Sequence, residues 1–332
     1  MIITDWQGPM LPLAWLMSGD PAAAVAAQAG AEMAQTMASR PQGASVALGA
    51  NLELKVQRLQ ESDRQQALNF LNRRPLHNVA LIGCIHDHGI ESAHHRGLIY
   101  GCFASGQLIG VALLGHHVIL SGSQAAVLAF ADIARLFHES EMRLVFGDDA
   151  AVTLFCHLLT PPFSCLRAGR AQSYLLFVLT KILSAREPIA GLRLARSEDL
   201  EEVMQSHARD CAEQTGVDPL KQDAAGFRHR LRARIERARI WLIRDEQGIA
   251  FKATVVAETE DAVYLEGIWV RPELRGTGLG RAAVKEVCRS LLDRHHAICL
   301  LTQTDHPRLI SFYQGIGFEP IATYSAIRLQ PA

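Results

Sequence analysis

The phrase Val56-Gln57-Arg58-Leu59-Gln60-Glu61-Ser62-Asp63 returns in altered form as Leu194-Ala195-Arg196-Ser197-Glu198-Asp199, and Gly106-Gln107-Leu108-Ile109-Gly110 returns as Gln247-Gly248-Ile249-Ala250-Phe251. Each copy holds the same place in an alternation of strand-like and helix-like segments, which points to a tandem duplication. The first half reads as a strand at 52–59, a helix from Ser62-Asp63 to about Asn72 stopped by Arg73-Arg74-Pro75, and strands at 97–104, 108–115 and 118–120. A helix at 124–138, a strand at 143–146, a helix at 150–159 and a strand at 173–180 complete it. The second half repeats this order: a strand at 192–196, helices from Ser197 and over 227–238, and strands at 240–244, 249–258 and 262–270. A helix at 278–293, a strand at 297–303, a helix at 307–315 and a strand at 321–329 close the chain. Strands mixed with helices in this order predict an α/β fold in which a mixed central sheet is flanked by helices in each half.

The 332 residues are enough for two domains with cores of their own. We divide them into an alanine-rich helical or flexible extension at 1–50, a first domain at 51–185 and a second at 186–332, with a linker near Ala185-Arg186-Glu187-Pro188. In the extension, Asp20-Pro21 is a helix start leading into an alanine run up to about Ala38. With 33 basic against 34 acidic side chains there is no global field to draw nucleic acid or an anionic membrane, so a small molecule is the expected partner. The longest early apolar run, 10–17, is too short to span a bilayer. Seven cysteines without a C-x-x-C pair suit reduced thiols in the cytoplasm.

The halves differ most after their third long strand. In the second half, Val263 to Val270 is followed by Arg271-Pro272-Glu273-Leu274-Arg275-Gly276-Thr277-Gly278-Leu279-Gly280 and then an amphipathic helix. Glycines at alternate positions let backbone approach a bulky anion, and the unpaired N–H groups of a helix start, with its dipole, favour negative charge there. A flexible strand-to-helix connection has the same appearance. A Walker loop is excluded because Arg281 and Ala282 follow Gly280 where Lys and Ser/Thr are required. A dinucleotide fingerprint is met formally by Gly278-Leu279-Gly280-Arg281-Ala282-Ala283, yet seven residues including Pro272 separate it from its strand.

Downstream lies His306-Pro307-Arg308-Leu309-Ile310-Ser311-Phe312-Tyr313-Gln314-Gly315-Ile316-Gly317-Phe318. With this segment the sequence resembles the GNAT superfamily of acyl-CoA-dependent N-acetyltransferases. Arg275-x-x-Gly278-x-Gly280 matches its pyrophosphate loop, and Tyr313-x-x-x-Gly317-Phe318 its C-terminal signature. The resemblance covers about 191–332. His306 and Leu309 stand where the family often has Asn and Ala. The first half has Ser121-Gly122-Ser123-Gln124 in place of the loop, so it resembles a degenerate GNAT domain without cofactor.

The resemblance implies two tandem GNAT-like domains, acetyl-CoA as cosubstrate, and transfer of its acetyl group to a primary amine in a ternary complex. It implies that the backbone of Ile268, Trp269 and Val270 aligns the pantetheine arm, that Arg275, Gly276, Thr277, Gly278, Leu279, Gly280 and Arg281 hold the pyrophosphate, and that His306 lies beside the cofactor. Tyr313 is the expected proton donor to the thiolate; a core tyrosine is the other reading. Strand alternation puts Glu266 on one face with Tyr264, Ile268 and Val270, where a carboxylate can act as general base or form a structural ion pair with Lys252. A non-catalytic acyl-CoA sensor or scaffold is the alternative function and a dinucleotide-binding protein a minor one.

His86, His88, His94 and His95 meet no standard zinc spacing and read as a solvated loop, so no metal is expected. Arg228, Arg230, Arg232, Arg234, Arg237 and Arg239 crowd one helix whose apolar stripe is Phe227, Leu231, Ile235 and Ala238; most read as a solvated face, with a guide for an acidic acceptor as the sharper alternative. Residues 213–219 are the expected acceptor contacts, and Arg281, Lys285 and Arg289 are candidates for meeting CoA phosphates. The protein is expected to be a monomer or homodimer.

Overall fold

A computed structural model describes residues 43–47, 53–137, 142–159, 166–182, 189–215 and 218–331. The helix expected over 20–38 and the linker at 185–188 lie outside these residues. The first half contains strands β1 (Gly43–Ala47) and β2 (Glu53–Arg58), helices α1 (Arg64–Leu71) and α2 (Pro75–His88), and strands β3 (Gly97–Ala104), β4 (Gln107–Gly115) and β5 (His117–Gly122). It continues with α3 (Gln124–Phe137), β6 (Leu144–Asp148), α4 (Asp149–Leu158), β7 (Leu166–Ala168) and β8 (Gln172–Leu179). The second half contains β9 (Arg193–Leu194), α5 (Leu200–Thr215), α6 (Pro219–Glu236), β10 (Ile240–Asp245), β11 (Gly248–Glu258) and β12 (Ala262–Val270). After them come α7 (Leu279–Leu292), β13 (Ala297–Gln303), α8 (Pro307–Gln314) and β14 (Glu319–Pro331).

Two compact units result, whose described residues are 43–176 with 321–331, and 177–320. In the first unit, β1 to β5 form an antiparallel meander and β6 runs parallel to β5. The second unit repeats the plan, with β9 to β12 antiparallel and β13 parallel to β12. The chain's last strand belongs to the first unit, where Tyr324 lies opposite Asp148 and Arg328 opposite Leu144 in an antiparallel pair.

The recurring phrases adopt one geometry. Gln60 (φ −113°, ψ 171°) and Arg196 (φ −115°, ψ 169°) each precede a 3-10 turn, Glu61–Asp63 or Ser197–Asp199. The carboxylate three residues on, Asp63 or Asp199, accepts the N–H of Gln60 or Arg196 at 2.8 Å in both cases. A side-chain oxygen that caps a helix start satisfies donors the helix itself cannot.

Three expectations change. Arg73-Arg74-Pro75 ends α1 but also begins α2, since proline at the first helical position loses no hydrogen bond. Helix α2 buries Asn78 to Ile85, and an apolar run exposed on no face carries no 3.6-residue period to announce it. The histidines expected in a solvated loop are split between the end of α2 and the turn Ala93–His95, with His95 buried and its Nε2 2.7 Å from the Gly89 carbonyl oxygen. Among the described residues, no group of three or more His, Cys, Asp or Glu side chains is placed to hold a metal ion. Six described cysteines are buried and form no disulfide with one another; Cys165 lies outside the described residues. No described helix is long and apolar enough to cross a membrane.

Candidate active site

The site begins with a gap in the sheet. Strands β12 and β13 pair only through Ala262, Val263 and Tyr264 opposite Ala297, Ile298 and Cys299, although β12 continues to Val270 and β13 to Gln303. Beyond Tyr264 the edge of β12 carries backbone groups without a β13 partner, and an extended, amide-bearing chain is the natural complement of such an edge.

At the end of that edge stands the glycine turn. Gly278 (φ +93°) caps α7 and Gly276 (φ +80°) precedes it, both in backbone conformations that favour glycine, and no atom lies within 4 Å of where a Cβ on either would point. The first helical bond is donated by Ala282 N–H to the Gly278 carbonyl at 3.1 Å; the Leu279 N–H makes a long 3.4 Å bond to Thr277 Oγ1, and the N–H groups of Gly280 and Arg281 have no acceptor within the helix. Gly280 serves packing: a Cβ there would lie 3.0 Å from Val270 Cγ2. The turn is braced from below, where Arg275 Nε donates to the Val270 carbonyl at 3.0 Å and Thr277 Oγ1 donates to the Leu274 carbonyl at 2.8 Å. Helix α7 forms because Ala283, Val284, Val287, Cys288 and Leu291 recur on one buried face. The result is a rigid, open cradle of N–H donors at the positive end of a helix, and it fits an anion of the kind a CoA pyrophosphate supplies.

The remaining cofactor candidates are distributed around it. Arg281 turns from the cradle to α8, where its guanidinium lies 5.8 Å from the Phe312 ring centroid and Nη1 donates to the Gly315 carbonyl at 3.3 Å. Lys285 is half-buried, and Arg289 Nη1 stands 3.4 Å from Glu286 Oε2. His306 begins α8, its carbonyl accepting the N–H groups of Leu309 and Ile310 at 3.0 and 3.1 Å. Tyr313 is buried among Phe312, Phe318 and Phe177, with ring centroids 5.3, 5.7 and 6.3 Å away. Burial, with Cys288 nearby, holds its phenol well above the ordinary range, so it keeps its proton at neutral pH.

Glu266 lies in a different setting from the one strand alternation gives. Thr254 pairs with Glu266 and Lys252 with Trp269, so Gly267 and Ile268 together face Ala253 in a bulge, and Gly267 has φ +59°. One extra residue reverses the parity beyond it. Trp269 therefore packs with α5 and α6, Val270 faces α7, and Glu266 lies on the face of α5 and α6, where it acts electrostatically on Arg234 and Cys211. Glu266 thus does not share a face with Val270.

The same bulge organises a buried polar cluster. Lys252, wholly buried, has its Nζ 3.1 Å from His207 Nδ1 and 3.8 Å from Asp210 Oδ2. Asp210 occupies the place that the sequence reading gave to Glu266 as the partner of Lys252. Burial lowers the Lys252 ammonium while Asp210 raises it, and burial together with Lys252 holds His207 neutral at physiological pH. An ammonium can only donate, so His207 Nδ1 accepts and Nε2 carries the proton. Arg234 is buried nearby, lowered to about 10 by burial and raised in part by Glu266. The sequence reading missed His207 and Asp210. Their signal was a histidine in the apolar stripe Val203, His207, Ala208, Cys211 of α5, with an acid three residues on. Of the expected acceptor contacts at 213–219, Gly216 and Val217 lie outside the described residues. Asp218 caps α6, accepting the Leu220 N–H at 3.0 Å.

The first unit lacks the cradle for a visible reason. Where β5 leads into α3, the Ser123 N–H donates to the Ile109 carbonyl at 3.0 Å, and its Oγ and carbonyl accept the N–H groups of Ala126 and Val127 at 3.3 and 3.0 Å. A Cβ at Gly122 would lie 2.6 Å from Gly110 Cα. Here the Ala126 N–H is spent on Ser123 Oγ, and the backbone at Gly122 is closely covered where Gly276 and Gly278 are not.

Residues 200–318 match the model of the acetyltransferase (GNAT) family, and the chain carries a GNAT acetyltransferase domain there. A search of curated proteins gives no match to the sequence. Among solved structures the fold is similar to that of a GNAT-family acetyltransferase from Colwellia psychrerythraea, with TM-score 0.53 and 13% identity over 83% of this chain and 99% of that one. It is likewise similar to a tandem GNAT protein from the clavulanic acid biosynthesis pathway, with TM-score 0.52 and 13% identity over 84% of this chain and 98% of that one.

Proposed function

We propose that the protein is an acetyl-CoA-dependent N-acetyltransferase that moves an acetyl group directly to a primary amine in a ternary complex. The observation that carries this reading is the alignment of the unpaired β12 edge with the open cradle of Gly276 and Gly278. The edge at Ile268, Trp269 and Val270 holds the pantetheine amides and the cradle holds the pyrophosphate. The amine nitrogen attacks the thioester carbonyl, the N–C bond forms, the C–S bond breaks, and the thiolate takes a proton. Tyr313, protonated and buried at the start of the reaction, is the donor. Glu266, beside the bulge, is the base that receives the ammonium proton. The acceptor is an amine on a small molecule, an amino acid or a peptide or protein, neither nucleic acid nor membrane is a partner, and the enzyme works in the cytoplasm as a monomer or homodimer.

The test is thiol release from acetyl-CoA with a panel of amines, amino acids and peptides. Turnover that depends on the amine supports the enzyme. Tight CoA binding with no turnover on any amine would leave an acyl-CoA sensor, the reading that His306 and Leu309 favour because they replace the family's usual residues beside the pantetheine.

A further inference from the structure

Helix α6 is not continuous. Asp223 leaves helical geometry (φ −152°, ψ 70°) and starts the helix afresh, its Oδ1 accepting the Gly226 N–H at 2.8 Å. Its other oxygen, Oδ2, accepts from Arg230 Nη1 at 3.2 Å. Gly226 makes room for this clasp, since a Cβ there would lie 2.0 Å from Asp223 Oδ2 and 2.8 Å from Arg230 Nη1. A kink, a capping acid and a glycine thus hold one guanidinium nitrogen in place.

The clasp leaves the other edge of Arg230 without a partner. Nε and Nη2 are both shielded from solvent and both lack a hydrogen-bond acceptor, while the side chain as a whole is 27% exposed. This guanidinium is therefore at a rim and not in the core. A shielded, unpaired charged donor costs more than an exposed one, and native structures keep few of them. Nε–H and Nη2–H point side by side from a planar group, the arrangement that accepts the two oxygens of a carboxylate. Burial lowers the Arg230 guanidinium, and Asp223 raises it.

The position of Arg230 relates it to the proposed chemistry. Arg230 and Arg234 are one helical turn apart, about 5–6 Å between their Cβ atoms. They are close enough that Arg230 acts on Arg234, and Arg234 feels the Glu266 carboxylate. We propose that Arg230 is the anchor for a carboxylate on the acceptor, which makes the acceptor a compact amino acid whose amine reaches Glu266 while its carboxylate meets the Nε–Nη2 edge. This rests on the N-acetyltransferase reading and adds the substrate class. Asp223 and Gly226 are positioning residues that act through Arg230.

The experiment compares amino acids with their carboxamides, which keep the amine and lose the anion. Binding of each pair to the CoA-loaded protein is measured by calorimetry, and turnover by thiol release. Charge-assisted hydrogen bonds of this kind predict that at least one amino acid binds roughly 10- to 100-fold tighter than its amide. Arg230→Gln removes most of that ratio by weakening the amino acid far more than its amide, with CoA affinity kept, and Arg230→Lys restores only part of it because the fork is lost. Should Arg230→Gln not fold, Gly226→Ala displaces the clasp and lowers the same ratio. Equal affinity for amino acid and amide in the unaltered protein, or an unchanged ratio in the variants, overturns the inference even if amines are acetylated. Absence of both CoA binding and turnover would instead overturn the acetyltransferase reading.

Discussion

Gly278→Ala separates the cradle's two burdens, backbone conformation and ligand access. At φ +93° an alanine is strained, which costs roughly 1–2 kcal/mol in the left-handed region. The structure adds no clash to this, because nothing lies within 4 Å of the new methyl group. For a domain of about 150 residues, 1 kcal/mol is about 2–4 °C, so Tm should fall by roughly 2–8 °C. The methyl group projects into the space where the ligand's phosphates approach the N–H groups. Loss of one charge-assisted hydrogen bond, about 1.5–3 kcal/mol, weakens CoA binding roughly 10- to 100-fold. Thermal unfolding without ligand and calorimetry with CoA read the two effects separately. Gly191→Ala is the control: Gly191 has φ +77° in the same unit, and its Cβ would meet only Ile243 Cγ2 at 3.7 Å, so it should lose stability and keep CoA affinity. If Gly278→Ala binds CoA within twofold of the unaltered protein, or Gly191→Ala loses as much affinity, the cradle is not where the anion binds.

Tyr313→Phe should lower turnover at least tenfold with CoA affinity unchanged, since a general acid typically contributes 10²–10⁴-fold; an unaltered rate removes Tyr313 as the donor. Asp210→Ala strands the Lys252 charge in the core and should destabilise the fold by about 3–5 kcal/mol in a denaturant titration, whereas the double change Asp210→Leu with Lys252→Met recovers most of that loss. Arg193 holds the Asp199 carboxyl below its ordinary range through hydrogen bonds of 2.7 and 2.9 Å. The unfolded chain therefore takes up this proton first as pH falls, and the stabilisation is full at neutral pH and lost in acid. The Tm gap between the unaltered protein and Asp199→Asn should shrink between pH 7 and pH 3; a constant gap contradicts the assignment.

What could be read from the chain itself followed local rules. The bounds of β12 and β13 were legible because apolar runs of strand length end at turn residues. The glycine ladder was legible because a left-handed backbone and an uncovered helix start both select glycine. The two helix starts at Gln60 and Arg196 were legible as a repeated phrase. Helix α2 was hidden because burial on all sides erases its periodicity, and the arginines of α6 read as a solvated face although Arg234 is buried. Charge on a helix does not say which side another strand will cover.

The sequence by itself determined the duplicated α/β plan, the cradle, and the acetyltransferase resemblance of its second half, since each depends on residues near one another along the chain. Only the tertiary structure decided the partner of Lys252, the face on which Glu266 stands and the unpaired edge of Arg230. Each of those turns on a contact across elements or on the parity of a single bulge at Gly267. Spacing along a strand predicts a face only while the register is unbroken, and one inserted residue sends every later side chain to the opposite side.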